Sequence, residues 1–260
     1  MKFLSLTMII TLACLTAYAS ENITFFSDDS LLITADSYIA HEDSAPFIIL
    51  FHQAGFSRGE YKEIAPKLNA LGFNALAIDQ RSGKEVNGVI NQTASRAVEK
   101  NLRDTYLDAL PDLLASIRYV RDNMATGKVI LWGSSYSAAL VLKIGGDYPD
   151  LMDGIVAFSP GEYFERLGEN PDFISVSARK IEVPVFISSA SDEKDRWWPI
   201  YQVIPAQKSY FLPEMNGIHG SRALWSSTPE HLDYWNALKD FLNPFVIIQK
   251  PNPPGNLNMR

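Results

Sequence analysis

The chain has 260 residues, of which 47% are hydrophobic and 20% are charged, and its formal net charge at pH 7 is −7. This composition is that of a globular protein with a substantial core, rather than of a disordered or membrane chain. Because nucleic acids and anionic lipids are drawn to basic surfaces, the acidic balance argues against both as partners.

The N-terminus has the pattern of a signal peptide over residues 1–19. Lys2 supplies a positive charge, and a mostly apolar stretch at 3–15 follows that is too short to span a bilayer comfortably. Ala17-Tyr18-Ala19 then matches the cleavage rule, which predicts a mature chain beginning at Ser20. We expect an exported protein, periplasmic or secreted, with no stable membrane association after cleavage. An uncleaved membrane anchor and a lipoprotein signal are the alternatives.

The only cysteine is Cys14, so cleavage after Ala19 leaves a mature chain without any. Disulfides, thiolate catalysis and cysteine-rich metal sites are then excluded. The sequence contains no H-E-x-x-H motif, no histidine pair at ligand spacing and no glycine-rich phosphate or dinucleotide loop. It therefore predicts neither a metal site nor a cofactor.

Apolar runs alternate with amphipathic stretches along the chain, which is typical of an α/β fold with a mostly parallel sheet. Strands are predicted at 47–51, 74–78, 128–132, 154–158, 183–187 and 209–212. Helical spacing of apolar residues occurs at 57–71, 101–123, 138–144 and 228–242, the last with Thr228 as N-cap and Pro229 at the first helical position. The proline-rich end, 251–260, is predicted to be disordered.

The sharpest local signal is the segment 128–140, in which an apolar strand leads through a turn of small residues into a helix. A serine at the apex of such a turn is the context of a nucleophile elbow, whose strained backbone requires small residues two positions away on either side. Gly133 meets this requirement, and Ser137 stands where glycine is usual but is small enough to fit. The pattern predicts Ser135 as the nucleophile, and a serine-rich N-cap loop is the alternative.

A serine hydroxyl needs a base to take its proton, so a catalytic histidine should lie downstream. His219 lies in a glycine-flanked loop between the last predicted strand and the last helix. His41 lies in a charged loop, His231 lies in the final helix beside acidic residues, and His52 ends the first predicted strand. We therefore predict His219 as the base.

These features resemble the α/β-hydrolase superfamily, and within it the dienelactone-hydrolase-like serine esterase branch. The resemblance covers residues 47–242, and its carriers are the elbow at Ser135, the loop of His219 and the order serine, acid, histidine along the chain. It implies one α/β-hydrolase domain over 20–250, in which helices cover both faces of a mostly parallel central sheet.

The resemblance also implies an oxyanion hole made of two backbone amides. One follows the nucleophile, which makes it the amide of Tyr136, and the other lies in the loop after the strand at 47–51. Relatives often have a glycine after the histidine of this loop, where the chain has Gln53. Aligning His52 with that histidine makes Ala54 the second donor, with Gln53 as the alternative, and gives His52 a structural role.

The acid of the triad is expected after the strand at 183–187, where three carboxylates occur. In relatives a Pro-Val strand leads to an acid nine positions after its proline, and counting from Pro184 gives Glu193. Relative to this count, Asp192 would require a one-residue deletion in the segment after Pro184, and Asp195 would require a two-residue insertion. We therefore favour Glu193, then Asp192, then Asp195.

Together these residues predict an exported serine hydrolase that cleaves an ester-type bond of a small molecule through an acyl-enzyme, without a cofactor. A peptidase or thioesterase acting through the same site is one alternative, because a triad does not select the leaving group. A non-catalytic binding protein that keeps the fold is another. Little of the region 138–191 could form a large helical lid, which favours small or medium esters over long lipids.

Overall fold

The structure, a computed structural model, describes residues 20–246. The predicted signal peptide at 1–19 and the predicted tail at 251–260 lie outside the described residues. Within the described part of the chain, no helix has the length and apolar character needed to cross a membrane.

The core of the fold is an eight-stranded sheet in the order β1-β2-β4-β3-β7-β8-β9-β10. Strand β2 pairs antiparallel with β1 and β4, and all the other neighbours are parallel. The strands of the sheet are β1 (Glu21–Phe26), β2 (Leu32–Tyr38), β3 (Phe47–Phe51), β4 (Asn74–Ile78), β7 (Val129–Ser134), β8 (Gly154–Phe158), β9 (Val185–Ser188) and β10 (Lys208–Phe211). A separate hairpin consists of β5 (Glu85–Val86) and β6 (Val89–Ile90).

Helices cover both faces of the sheet. They are α1 (Ile64–Ala70), α2 (Gln92–Glu99), α3 (Leu110–Asn123), α4 (Tyr136–Asp147), α5 (Phe173–Ala178), α6 (Lys194–Val203) and α7 (His231–Leu242). Successive strand residues point to opposite faces, so Ile49 of β3 packs in one core with α3 to α6, and Ile48 packs in the other with α1 and α7. This arrangement confirms the predicted fold class of a single α/β-hydrolase domain.

The predicted strands at 47–51, 74–78 and 154–158 have the predicted bounds, whereas three helices begin later than expected. The segment 57–71 is split into a 3₁₀ turn, Arg58–Tyr61, and α1, which places Pro66 in the first turn of α1. In the segment 101–123 the α-helix begins only at Leu110, the first residue of α3, and Pro111 also lies in the first turn. Proline is tolerated there because the first amides of a helix have no intrahelical acceptor.

The predicted N-cap of the last helix was also wrong. Helix α7 begins at His231, and the Thr228 hydroxyl donates to the carbonyl of Arg222 at 2.8 Å instead of capping the helix. Strands β1 and β2 were not predicted, and they extend the parallel sheet by an antiparallel edge.

Candidate active site

The turn that was predicted to be a nucleophile elbow lies at the carboxyl end of β7 and leads into α4. Ser135 has φ 59° and ψ −121°, between the last residue of β7 and the first of α4. Such a backbone is strained for a residue with a side chain. The amide of Ser135 donates to the carbonyl of Phe158 at 2.7 Å, which fastens the turn to β8. A Cβ on Gly133 would collide with the backbone of Ser137, so the turn requires glycine at that position.

Ser137 does more than fit beside the elbow. Its hydroxyl donates to the carbonyl of His52 at 2.6 Å and accepts from Nε2 of Gln80 at 2.5 Å. A glycine could make neither bond. The departure from the usual elbow pattern therefore ties the first turn of α4 to the loop that follows β3, a role that sequence reasoning missed.

His219 and Glu193 meet in the structure. Nδ1 of His219 lies 2.5 Å from Oε1 of Glu193. Because a carboxylate only accepts, Nδ1 carries the hydrogen and leaves the lone pair of Nε2 available for a proton. The other oxygen of Glu193 accepts from the Ser159 hydroxyl at 2.7 Å. Burial disfavours the ionised carboxylate, but the bonds from His219 and Ser159 outweigh it and keep the pKa of Glu193 below its usual value.

The two other candidate acids lie away from this pair. Asp192 and Asp195 are exposed, whereas Glu193 is buried. Glu193 is therefore the carboxylate of the three that the structure brings to His219. The ungapped count from Pro184 led to the same residue.

Two hydrogen bonds hold the loop of His219 against the elbow. The Ser134 hydroxyl oxygen accepts from the amide of Ser221, and the Ser159 hydroxyl oxygen accepts from the amide of Gly220, both at 2.9 Å. Gly220 has φ 74°, and a Cβ there would press on Oγ of Ser134. The residues adjacent to Ser135 and His219 thus contact each other directly. Sequence reasoning missed Ser159, which also has a left-handed backbone with φ 56°.

The loop after β3 contains the two candidates for the second oxyanion amide. The amide of Gln53 donates to Oε2 of Glu60 at 2.8 Å. That bond occupies the Gln53 amide and leaves Ala54 as the candidate of the two. Tyr136, the other predicted donor, is the first residue of α4, where amides have no intrahelical partner.

His52 braces this loop through both of its ring nitrogens. Nδ1 donates to the Gln53 carbonyl at 2.8 Å, and Nε2 accepts from the Gln80 amide and from Nδ2 of Asn91, both at 3.1 Å. The ring is fully buried, and burial lowers the pKa of His52 to about 4. His52 is therefore neutral at pH 7, and its contacts match the structural role expected for it.

A cavity of about 390 Å³ adjoins the elbow. It is lined by Tyr106, Glu162, Tyr163, Glu165, Arg166 and Leu167. The ring of Tyr106 stacks on that of Tyr136 with centroids 4.7 Å apart, which places the cavity beside the first residue of α4. A larger cavity of about 590 Å³ is lined by Lys128 and Pro184, which precede β7 and β9, so it lies at the opposite end of the strands.

Chemically, the site comprises a strained serine at the elbow, a histidine with an ionised partner on the adjacent loop, and a loop amide segment. Over the residues that the structure describes, no hydrogen bond joins the Ser135 hydroxyl to His219, and the contacts between the two segments are those of their neighbours. Among residues 20–246, no group of three or more His, Cys, Asp or Glu side chains could hold a metal ion.

A family model described as serine aminopeptidase, S33, matches residues 42–178, more than half of the chain. The chain belongs to this family of α/β hydrolases. The match includes the loop after β3 and the elbow, and it ends before Glu193 and His219.

Solved structures of hydrolases share this fold at low sequence identity. An esterase from Pyrococcus furiosus superposes with a TM-score of 0.64 at 15% identity, covering 88% of this chain and 92% of its own. A dienelactone hydrolase from Anabaena variabilis gives 0.67 at 13% identity, with 88% and 98% covered. An acylaminoacyl peptidase from Pyrococcus horikoshii gives 0.65 at 15% identity, with 92% and 43% covered. A search of curated protein sequences finds no match.

The bonds of Ser137 predict a measurable contribution to stability. Replacing Ser137 by alanine removes one partner each from the buried side-chain amide of Gln80 and from the backbone carbonyl of His52. We therefore expect the free energy of unfolding to fall by about 1–3 kcal/mol. Urea unfolding followed by circular dichroism measures the change. Ser95→Ala on the exposed side of α2 is the control, with an expected change within about 0.5 kcal/mol. Equal effects of the two substitutions would contradict the prediction.

Proposed function

We propose that the protein is an exported serine hydrolase that cleaves an ester-type bond of a small molecule. In this proposal Ser135 is the nucleophile, His219 is the base and Glu193 is the acid of the triad. The observation that carries it is the Glu193–His219 pair at 2.5 Å, held next to a strained serine elbow by the contacts of Ser134 and Ser159.

The chemistry would follow from these positions. Nε2 of His219 takes the proton of the Ser135 hydroxyl as Oγ attacks the substrate carbonyl, and Glu193 stabilises the imidazolium through Nδ1–H. The amides of Tyr136 and Ala54 donate to the oxyanion of the tetrahedral intermediate. The imidazolium then protonates the leaving alkoxide, and the acyl-enzyme forms. A water activated by His219 attacks the acyl carbonyl and restores Ser135.

Two features support a small or medium ester as substrate. The cavity beside the elbow measures about 390 Å³, and two tyrosines contribute to its lining. Between α4 and β9 the described helical segments are the six-residue α5 and two 3₁₀ turns, so this region carries no large helical lid. The structures of an esterase and a dienelactone hydrolase share the fold.

A peptidase is the second candidate, because the family model is described as a serine aminopeptidase and an acylaminoacyl peptidase shares the fold. Both reactions would use the same triad. A panel of p-nitrophenyl esters and amino-acid p-nitroanilides separates them. We expect hydrolysis of the short-chain esters, and faster hydrolysis of the anilides would favour the peptidase.

The first prediction concerns the nucleophile. Ser135→Ala removes the attacking oxygen, so we expect turnover of p-nitrophenyl acetate to fall to the background rate while the circular dichroism spectrum is unchanged. A fluorophosphonate should modify the wild-type chain once, at Ser135, and leave the variant unlabelled. Ser134→Ala is a useful comparison, because it should still be labelled. Loss of labelling in Ser134→Ala but not in Ser135→Ala would show that the wrong serine was assigned. If Ser135→Ala hydrolysed p-nitrophenyl acetate at the wild-type rate, the proposed mechanism would be refuted.

The second prediction concerns the acid. Glu193→Gln keeps the shape of the side chain but removes the charge that stabilises the imidazolium, so we expect kcat to fall by about a hundredfold to ten-thousandfold. Asp192→Asn and Asp195→Asn remove the same charge from exposed neighbours and should change kcat by less than about twofold. Steady-state kinetics at pH 8 measures all three. A larger loss in either control would move the acid to that residue.

The third prediction concerns export. The full chain expressed in a Gram-negative bacterial host should be recovered from the periplasmic fraction, and its intact mass should correspond to a mature chain beginning at Ser20. Replacing Ala19 by arginine should block cleavage, because the cleavage site requires a small residue. A wild-type chain that keeps residue 1 and stays in the membrane fraction would support the uncleaved anchor instead.

A further inference from the structure

A buried carboxylate that the proposed mechanism does not use lies beneath the site. Glu60 belongs to the 3₁₀ turn Arg58–Tyr61 and is fully buried. Its Oε2 accepts from the amide of Gln53 at 2.8 Å, and its Oε1 accepts from the hydroxyl of Ser134 at 2.7 Å. One side chain therefore joins the loop after β3 to the residue that precedes the nucleophile.

The same network extends to the loop of His219. Oγ of Ser134 accepts from the amide of Ser221 at 2.9 Å, and the indole of Trp225 donates to the backbone carbonyl of Glu60 at 2.9 Å. All three segments that carry the proposed nucleophile, base and oxyanion amide thus meet at Glu60. A change at this carboxylate affects their relative positions directly.

The charge of Glu60 is unusual for such a place. Burial raises the pKa of Glu60 to about 7, although the hydrogen bonds from Gln53 and Ser134, the charge of Arg222 and the nearby imidazole of His219 oppose this shift. The titratable side chains of Tyr61 and Tyr136 also face it. Since no cation forms a salt bridge with Glu60 within residues 20–246, ionisation is costly. A neutral glutamine would avoid the cost of ionisation but would accept only one of the two hydrogen bonds.

We propose that Glu60 is a positioning residue of the reaction, an inference that rests on the proposed function. Its carboxylate holds the Gln53–Ala54 segment against the nucleophile elbow, so that the amide of Ala54 points at the developing oxyanion. Its negative charge also stabilises the imidazolium that forms on His219 during attack by Ser135. Glu60 acts through these groups and does not touch the substrate.

Glu60→Gln tests the charge with little change of shape, because the amide oxygen can still accept from Gln53, while the NH₂ faces the Ser134 hydroxyl, which must turn its own hydrogen away. We expect kcat at pH 8, counted per serine labelled by a fluorophosphonate, to fall about tenfold with KM within about twofold. An interaction made only in the transition state lowers kcat and spares KM.

Stability should move in the opposite direction to activity. Because the native state holds the Glu60 proton more tightly than the unfolded chain does, this group makes the wild type less stable as pH rises from about 4.5 through about 7. Glu60→Gln removes that loss, so at pH 8 the variant should be at least as stable as the wild type in urea unfolding. A role in folding alone would make the variant less stable and leave kcat per labelled serine unchanged.

The pH profile gives a second readout. The wild-type kcat/KM should fall as the pH drops through about 7, where Glu60 takes up its proton, whereas Glu60→Gln should lack this ionisation. Glu60→Ala removes both acceptors, and the misplaced loop should lower kcat by about a hundredfold. If Glu60→Ala fails to fold, the glutamine variant still decides.

The matched control is Glu63→Gln, an exposed acid on the same segment that bonds Ser226 rather than the site. It should keep kcat and the acid limb of the wild type. The inference is overturned if Glu60→Gln keeps kcat per labelled serine within about twofold and the same acid limb, or if it loses stability while its labelled fraction turns over normally. If wild-type Ser135 resists labelling, the proposed function itself has failed.

Discussion

The arrangement of the candidate site depends on the hydrogen bond from the amide of Ser135 to the carbonyl of Phe158. It links the strained turn at the end of β7 to the last residue of β8. The position of Ser159, which follows Phe158, is therefore set relative to the turn. From there Ser159 reaches both Glu193 and the amide of Gly220. Parallel strands have their carboxyl ends at one edge of the sheet, where such sites usually lie. At this edge the bond sets the position of Ser135 relative to Ser159, and Ser159 in turn contacts Glu193 and the loop of His219.

Stability and chemistry make opposite demands at this edge. The positive φ of Ser135 and the isolated buried carboxylate of Glu60 both disfavour the folded state. The two cores on either face of the sheet, which include Trp132 and Trp197, provide the burial that offsets such local losses. Two of the strained residues, Ser135 and Ser159, lie at the ends of β7 and β8, where the proposed reaction takes place.

Much of the fold could be predicted because buried parallel strands are uninterrupted apolar runs, as at Phe47–Phe51. The elbow followed from local spacing, and Glu193 followed from a count that the resemblance to relatives supplied. Strands β1 and β2 were missed because their mixed polar composition resembles a loop. Ser159 and Glu60 were missed for another reason: their partners lie 34 and 74 residues away along the chain, and a single serine or glutamate in a turn carries no local signal.

The residues proposed to react lie at strand ends, whereas the residues that line the neighbouring cavity lie mainly in loops. Structures at 13–16% identity share this fold, so the fold itself tolerates wide change of sequence. The cavity beside the elbow is lined mainly by residues between β8 and α5, among them Tyr163 and Arg166. These loops can change without disturbing the bonds that hold the elbow, because none of those bonds involves a side chain of the cavity lining except the contact of Tyr163 with the Ser159 carbonyl. A change in the cavity lining would therefore reach the elbow through two residues, Tyr163 by this bond and Tyr106 by its stacking on Tyr136.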